Sequence, residues 1–382
     1  MKAYLITPMN LKYSYRATEE YVYKYAKYLH EVGYDVTLLI TKRPDEKYKV
    51  LKDYKTIIKP YAKIKQRAAP CNEYVLPFKW HIFIYKDLPK DGIIYFPYSI
   101  YDYLFNILTK PAGQKYIIGS HSLHLKEGHI IKGHAIIEKI LNFIVKTVLY
   151  LRKSELENIF FHAINTVQKS YLEKEFGIKG KNIFYIPNMI NPSGYKLADN
   201  NSKKLRIIHI GGSEKGSDVV LSIVDNLQRI GKLDKFEFYF IGKTGHEDGT
   251  IYSKYKNVHF IGNVSNEDKL KLLSTVDSLI IPSYETFSKT LLEGLLSGLY
   301  ILTSRRNVAW HDFISLGIKM FIANTGSPEE YLGILLNLAN EKGKGKEVNG
   351  DRLRNRTLVI DNFDERNVLQ KIQEMFRFIK KT

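Results

Sequence analysis

The sequence predicts an α/β protein built from two doubly wound units. Short apolar runs alternate with helical patterns along most of the chain, which is the order typical of parallel sheets. This alternation stops at a polar stretch over residues 188–204, rich in Asn, Ser, Lys and Gly, and restarts beyond it. A length of 382 residues with 44% hydrophobic residues suffices for two cores of ordinary size.

The first unit is predicted to open with a strand, a helix and a second strand. The apolar run 2–7 is followed by a helical pattern over 18–31, which ends before Gly33, and by the apolar run 35–41. This order predicts a pair of parallel strands joined by a crossover helix. Further strands are predicted at 92–96, 116–119, 161–166 and 183–186.

The second unit repeats the alternation beyond the polar stretch. Its predicted strands are 205–210, 236–241, 258–261, 278–281 and 300–303. Its predicted helices are 217–230, 266–275 and 290–297. A final helix is predicted over 364–380, and its apolar residues share one face: Val368, Ile372, Met375, Phe376 and Ile379.

Composition excludes several classes of protein. The single cysteine, Cys71, leaves no disulfide within the chain and no cysteine-based zinc cluster, so we expect a reducing compartment and a cytoplasmic protein. The apolar stretch at the N-terminus is too short for a signal peptide. The most apolar long segment, 135–151, contains Glu138, Lys139 and Lys146, so we expect no membrane-spanning helix.

The formal charge of +18 lies mostly in residues 1–195. Such a surplus predicts an acidic partner: nucleic acid, a phosphorylated substrate or an anionic membrane surface. An alternative is that the charge serves solubility alone.

Several nucleotide and metal motifs are absent from the sequence. Gly242-Lys243-Thr244 resembles the end of a P-loop, but Glu237 stands where that motif requires Gly. Neither a Gly-x-Gly-x-x-Gly fingerprint nor an Asp-x-Asp metal clamp occurs. The histidines at 121, 124, 129 and 134 do not have the spacing of a zinc site. We therefore expect no bound metal.

The segment 282–298, PSYETFSKTLLEGLLSG, combines the features of a phosphate and hydroxyl site. It follows a predicted strand and opens a helix for which Ser288 is the expected N-cap. Helix N-termini attract phosphate, and carboxylates accept hydrogen bonds from vicinal hydroxyls. We place Glu285 on the loop before the helix and Glu293 on its second turn. A nucleotide sugar carries both groups, although two ordinary surface glutamates remain the alternative.

This segment resembles the acidic motif of family 4 glycosyltransferases, which have the GT-B fold. Glu285, Phe287, Glu293 and Gly298 match its positions, whereas Gly294 replaces the usual Ala and Ser288 the usual Gly. The resemblance implies two doubly wound Rossmann-like domains facing an interdomain cleft. It implies an acceptor domain over 1–190, a linker over 191–204, a donor domain over 205–363, and a C-terminal helix, 364–382, that packs back on the first domain.

The resemblance also implies the remaining site residues. The segment 210–218, IGGSEKGSD, matches the loop where Lys215 lies near the donor diphosphate, although the family's preceding Arg has no counterpart. His121 matches the histidine presented to the sugar, with His124 as a nearby competitor. The implied catalytic residues are His121, Glu285 and Lys215. The implied donor-binding residues are Gly211, Gly212, Ser213, Lys215, Gly216, Asn188, Phe287, Ser288, Lys289, Thr290 and Glu293.

By resemblance, the protein is a retaining hexosyltransferase that uses a UDP-sugar or GDP-sugar and no metal or other cofactor. Glu293 is assigned to the ribose hydroxyls and Glu285 to the hydroxyls of the donor sugar. The N-terminal loop 14–20 lacks the family's Gly-Gly, and Arg16 is the charge nearest to that position. Two alternatives stay open: a nucleotide-sugar epimerase or hydrolase of the same fold, and a non-catalytic nucleotide-sugar-binding protein.

The acceptor is predicted to be a glycan, a glycolipid or a lipid-linked sugar. Six tyrosines between residues 13 and 28 interleave with Lys and Arg, a mixture suited to a lipid headgroup layer. The helix over 135–151 either adds an apolar face to this surface or belongs to the core. We therefore expect peripheral binding to the inner face of a membrane, with nucleic acid as a minor candidate.

Overall fold

The chain divides into two compact units, one formed by Met1–Asn188 with Val368–Thr382 and the other by Met189–Asn367. Each unit contains its own, mainly parallel sheet. The predicted architecture of two doubly wound α/β units is therefore confirmed. The computed structural model describes residues 1–8, 17–42, 64–76, 80–85, 88–97, 114–119, 143–151 without 145 and 148, 157–199, 201–212, 215–242, 255–343 and 349–382.

The first unit contains an eight-stranded sheet of order β4-β3-β2-β1-β5-β6-β7-β8. All neighbouring strands are parallel except β3 and β4, which are antiparallel and were not predicted. Helix α1 (Ala17–Glu31) crosses from β1 to β2 as predicted. The strands are β1 (Lys2–Pro8), β2 (Asp35–Lys42), β3 (Lys65–Leu76), β4 (Trp80–Tyr85), β5 (Ile93–Phe96), β6 (Lys115–Gly119), β7 (Ile159–Ala163) and β8 (Ile183–Tyr185).

The predicted strand 161–166 is wrong at its C-terminal end. Strand β7 ends at Ala163, and helix α2 (Thr166–Phe176) begins three residues later. Asn165 is the N-cap, and its Oδ1 accepts a hydrogen bond of 2.7 Å from the Gln168 backbone N–H. The Gln168 side chain in turn accepts from the Ile164 N–H at 3.0 Å. These reciprocal bonds satisfy N–H groups that would otherwise be unpaired, and they stop the strand.

The last helix, α9 (Glu365–Lys381), contributes most of its length to the first unit. All five residues of its predicted apolar face are buried. The Phe376 ring lies edge-on to Tyr34 with centroids 5.7 Å apart, and Lys115 donates a 2.7 Å hydrogen bond to the Ile379 carbonyl. An amphipathic helix of this kind is held by burial of its apolar face.

The second unit contains a six-stranded parallel sheet of order β11-β10-β9-β12-β13-β14. Successive strands run outward from β9 on one side and from β12 on the other. The chain direction across the sheet therefore reverses between β9 and β12, which is the topological switch point where open α/β sheets bind ligands. The strands are β9 (Leu205–Ile210), β10 (Phe236–Ile241), β11 (Val258–Gly262), β12 (Ser278–Ile281), β13 (Tyr300–Ser304) and β14 (Phe321–Ala323).

Six helices of the second unit lie among the described residues, and three were predicted to within two residues. The core is formed by buried aliphatic and aromatic side chains of β9, β10 and the helices beside them. No helix in the described part of the chain is both long and apolar enough to cross a bilayer. The helices are α3 (Ser217–Arg229), α4 (Asn266–Leu273), α5 (Lys289–Leu296), α6 (Trp310–Ser315), α7 (Pro328–Gly343) and α8 (Asn349–Phe363).

Candidate functional site

The loop between β9 and α3 places a lysine at the switch point. Within it, the Lys215 N–H donates a 2.8 Å hydrogen bond to the Gly212 carbonyl. Gly211 and Gly216 have φ angles of +134° and +84°. A Cβ at Gly216 would lie 2.6 Å from the Pro282 Cγ, so glycine allows this loop to approach the residue that follows β12.

Two helices begin beside this loop. Helix α3 starts at Ser217, and its N-cap, Gly216, supplies no side-chain hydrogen bond to the first turn. At α5, the Ser288 Oγ accepts from the Leu291 N–H at 3.4 Å, which confirms the predicted N-cap. Lys289 and Thr290 form the first turn of α5 and are partly buried. Helix N-termini of this kind present N–H groups and a positive dipole to anions.

Lys215 and Glu285 form an ion pair between the loops that follow β9 and β12. The Ser283 hydroxyl lies 3.5 Å from the same carboxylate oxygen, Oε1. The Glu285 backbone is fixed by the Val308 N–H, which donates to its carbonyl at 2.7 Å. The Lys215 side chain is 42% exposed and that of Glu285 17%, so solvent screens this pair. Two predicted site residues from distant parts of the sequence are therefore brought together.

Glu293 lies on the second turn of α5, as predicted, and is nearly inaccessible. Its Oε1 is 2.7 Å from the Lys269 ammonium of α4, and it accepts a 3.3 Å hydrogen bond from the Tyr195 hydroxyl. The exposed fractions are 4% for the Glu293 side chain and 20% for that of Lys269. A buried carboxylate requires such compensation, because loss of hydration is costly. The sequence analysis identified neither Lys269 nor Tyr195.

Helix α5 packs closely on the sheet because residue 294 is glycine. A Cβ at Gly294 would lie 2.8 Å from the Ile301 Cδ1 and 2.5 Å from the Leu279 Cδ2. The glycine that stands in place of the motif's alanine therefore leaves room for the Leu279 and Ile301 side chains of β12 and β13. This packing brings the start of α5 to the end of β12, where Glu285 lies.

The other predicted residues have different positions. Phe287 is buried, and its ring contacts Phe313 and Phe363 with centroids 5.4 and 5.6 Å apart, so its side chain is part of the apolar packing. Asn188 is buried at the end of the first unit, whereas the rest of the described set belongs to the second. His121, His124, Ser213 and Arg16 lie outside the described residues.

Among the described residues, no group of three or more His, Cys, Asp and Glu side chains is arranged to hold a metal ion. The histidines at 121, 124, 129 and 134 lie outside that part of the chain. The described residues thus include one partly exposed lysine, two helix N-termini and two carboxylates, a set suited to a ligand with phosphate and hydroxyl groups.

Solved structures with a similar fold match nearly the whole chain. Sucrose-phosphate synthase from Thermosynechococcus elongatus has a TM-score of 0.70 at 12% identity, covering 100% of this chain and 99% of its own. Anabaena HepE in complex with UDP has a TM-score of 0.68 at 12% identity, covering 99% and 100%. The lipopolysaccharide outer core galactosyltransferase WaaB, in its apo form, has a TM-score of 0.67 at 14% identity, with both chains covered completely.

These similarities establish the GT-B fold of the chain, as the resemblance implied. No protein-family model matches the sequence. No curated protein matches it either.

Proposed function

We propose that this protein is a glycosyltransferase that moves a sugar from a nucleotide-diphosphate sugar to an acceptor hydroxyl. The observation that carries the proposal is the Lys215–Glu285 pair at the switch point of the second sheet, beside the start of α5. A cation and a helix N-terminus suit the diphosphate, and the adjacent carboxylate suits sugar hydroxyls. The fold shared with sucrose-phosphate synthase, HepE and WaaB supports the same reaction class.

The reaction breaks the bond between the anomeric carbon and a diphosphate oxygen, and the electron pair leaves with the diphosphate. The acceptor oxygen bonds to that carbon and releases its proton to the departing diphosphate. Negative charge therefore grows on the phosphates as the bond breaks. Lys215 and the N–H groups at the start of α5 are proposed to stabilise this charge, a role worth roughly 3–4 kcal/mol for one group in comparable sites.

Glu285 is proposed to accept hydrogen bonds from the donor sugar and Glu293 from the ribose. Lys215 forms an ion pair with Glu285, so a diphosphate is proposed to compete with this carboxylate for the lysine. His121 is proposed to contact the sugar on the strength of the motif resemblance alone. Retention at the anomeric carbon and independence from a metal rest on the same resemblance.

The donor is proposed to be a UDP-sugar, with a GDP-sugar as the competitor. Support for UDP comes from HepE, which has this fold and binds UDP. Calorimetric titration with UDP-, GDP- and ADP-sugars, followed by product mass, tests the proposal. Binding of one donor and transfer to an added sugar acceptor are expected. If all three donors fail to bind, the function is wrong, and sugar release that needs no acceptor would identify a hydrolase or epimerase.

We also propose that the acceptor is a glycan or glycolipid at a membrane surface. Support comes from helical turns within 143–151, where Phe143, Tyr150 and Leu151 are 70%, 77% and 72% exposed. Spacings of seven and eight residues place these side chains on one helical face. Exposed aromatic residues on a strongly basic chain suit an anionic lipid surface, and WaaB acts on lipopolysaccharide.

Vesicle co-sedimentation tests the membrane proposal. The wild-type protein is expected to bind vesicles that contain anionic phosphatidylglycerol, and Phe143→Ser with Tyr150→Ser is expected to weaken this binding severalfold. The control is Phe321→Ser, which replaces a partly exposed aromatic residue of β14 in the second unit. Equal sedimentation with neutral and anionic vesicles would argue against the proposal.

A further inference from the structure

The Glu293 carboxylate lies where α4, α5 and the segment after the first unit meet. The Ala198 N–H donates to the Ser297 carbonyl at the end of α5 at 2.9 Å, and the Asp199 N–H donates to the Ser274 carbonyl at the end of α4 at 3.0 Å. Tyr195 belongs to the same segment, and the Arg356 guanidinium donates to its carbonyl at 2.9 Å. Tyr195 is therefore held by its backbone while its hydroxyl reaches Glu293.

Both contacts of Glu293 use the same oxygen. The Lys269 ammonium and the Tyr195 hydroxyl donate to Oε1, whereas Oε2 has no partner within the described part of the chain. A carboxylate oxygen accepts up to about two hydrogen bonds in good geometry, so Oε1 is fully engaged. One oxygen is thus anchored, and the other keeps its lone pairs for a donor that is not part of the protein.

We infer that Lys269 and Tyr195 are positioning residues that fix Glu293 so that Oε2 accepts a hydrogen bond from the ribose of the nucleotide. This inference rests on the proposed function, because it assumes a nucleotide donor at this site. Lys269 supplies the countercharge that a nearly buried carboxylate requires, and its contact with Oε1 holds the carboxylate in place. Tyr195 adds a second, directional bond, so the carboxylate does not rotate its ligand-facing oxygen away.

A structural ion pair would stabilise the fold without affecting ribose recognition, and this difference supplies the test. The measurement is the ratio of dissociation constants between UDP and its 2′-deoxy and 3′-deoxy forms. Wild-type protein is expected to bind UDP with a dissociation constant about tenfold lower than that of either deoxy form. This ratio corresponds to the free energy of one charge-assisted hydrogen bond. Lys269→Met is expected to reduce this preference below about threefold, and Tyr195→Phe to reduce it by about half.

Two further variants complete the test. Lys269→Arg keeps the positive charge and is expected to recover part of the preference. Lys271→Met removes a lysine of the same helix that is 67% exposed and pairs with Glu267, so it is expected to leave the preference unchanged. Tyr195→Phe keeps the ring and the fold, so it remains informative if Lys269→Met fails to fold.

The outcomes separate this inference from the function on which it rests. If wild-type protein binds none of UDP, GDP and ADP, the proposed function is wrong. If it binds one of them and prefers ribose, but Lys269→Met and Tyr195→Phe keep the full preference, then only the positioning role is overturned. Binding without any preference between ribose and deoxyribose overturns the positioning role as well.

Discussion

The two glutamate–lysine pairs beside α5 differ in burial and therefore in what they can do. Lys215–Glu285 joins two loops at the strand ends, with side chains 42% and 17% exposed, whereas Lys269–Glu293 lies between two helices, with side chains 20% and 4% exposed. An exposed pair separates at little cost, because water replaces each partner. A buried pair is costly to separate, because each charge would lose its compensation. The first pair suits exchange with a ligand, and the second suits fixed geometry.

The largest effect is expected from Glu293→Ala. It leaves the Lys269 ammonium without its carboxylate, so we expect a loss of about 2–3 kcal/mol in the free energy of unfolding and loss of most transfer. Urea denaturation and initial rates measure the two effects. Glu267→Ala is the control, because its carboxylate is 78% exposed and pairs with Lys271. A fully active Glu293→Ala enzyme would exclude Glu293 from the site.

Lys215→Ala is expected to separate activity from stability. Transfer should fall by about 10²–10³, because the growing diphosphate charge loses its lysine. The free energy of unfolding should change by about 1 kcal/mol or less, because the lysine is partly exposed and solvent screens the pair. Lys319→Ala is the matched control, since Lys319 also forms an ion pair, with Asp351. Lys319 lies just before β14, at the amino ends of the strands, whereas Lys215 lies at their carboxyl ends. Unchanged turnover in Lys215→Ala would remove the basis of the proposed function.

Glu285→Gln sharpens the contrast because it removes the carboxylate that competes with a phosphate for Lys215. We expect the affinity for UDP to stay constant or to rise by about twofold to fivefold, since a phosphate no longer displaces the carboxylate. Transfer should fall, because the amide is a weaker hydrogen-bond acceptor for the sugar hydroxyls. Titration calorimetry with UDP and rate measurements with the intact donor separate the two effects. Weaker UDP binding in this variant would contradict the exchange role.

Lys215, Glu285 and Glu293 were predicted as separate ligand-binding residues, whereas neither ion pair was predicted and Lys269 was not identified. Lys215 was implied by the motif resemblance, and Glu285 by its place after a predicted strand; the structure brings them together because β9 and β12 are neighbouring parallel strands whose carboxyl ends meet at one edge of the sheet. Lys269 and Tyr195 meet Glu293 only through the rotation of α4 against α5 and the path of the linking segment. Periodicity gives the faces of each helix, but it does not give the position of one helix against another.

The same limit applied elsewhere in the molecule. Alternating apolar runs predicted both sheets, and the expected N-cap at Ser288 is confirmed because capping is a local interaction. The motif identified Phe287 as a site residue, but the sequence did not reveal that its ring would pack against Phe313 and Phe363. The strand pair β3–β4 was not predicted either, although Leu76 pairs with Trp80 only four residues later, because the sequence of β3, KQRAAPCNEYVL, lacks a regular alternation of apolar and polar residues.

The smallest effect, and the sharpest comparison, is the response of each pair to salt. At about 1 M salt the Debye length is about 3 Å, so an exposed pair loses most of its attraction while a buried pair loses little. Double-mutant cycles should therefore give a Lys215–Glu285 coupling energy of about 0.5 kcal/mol at low salt that falls to near zero. The Lys269–Glu293 coupling, measured with alanine variants of both residues, should keep most of its value over the same range. If both couplings decline together, the two pairs share one solvent environment, and the division between an exchanging and a fixed carboxylate fails.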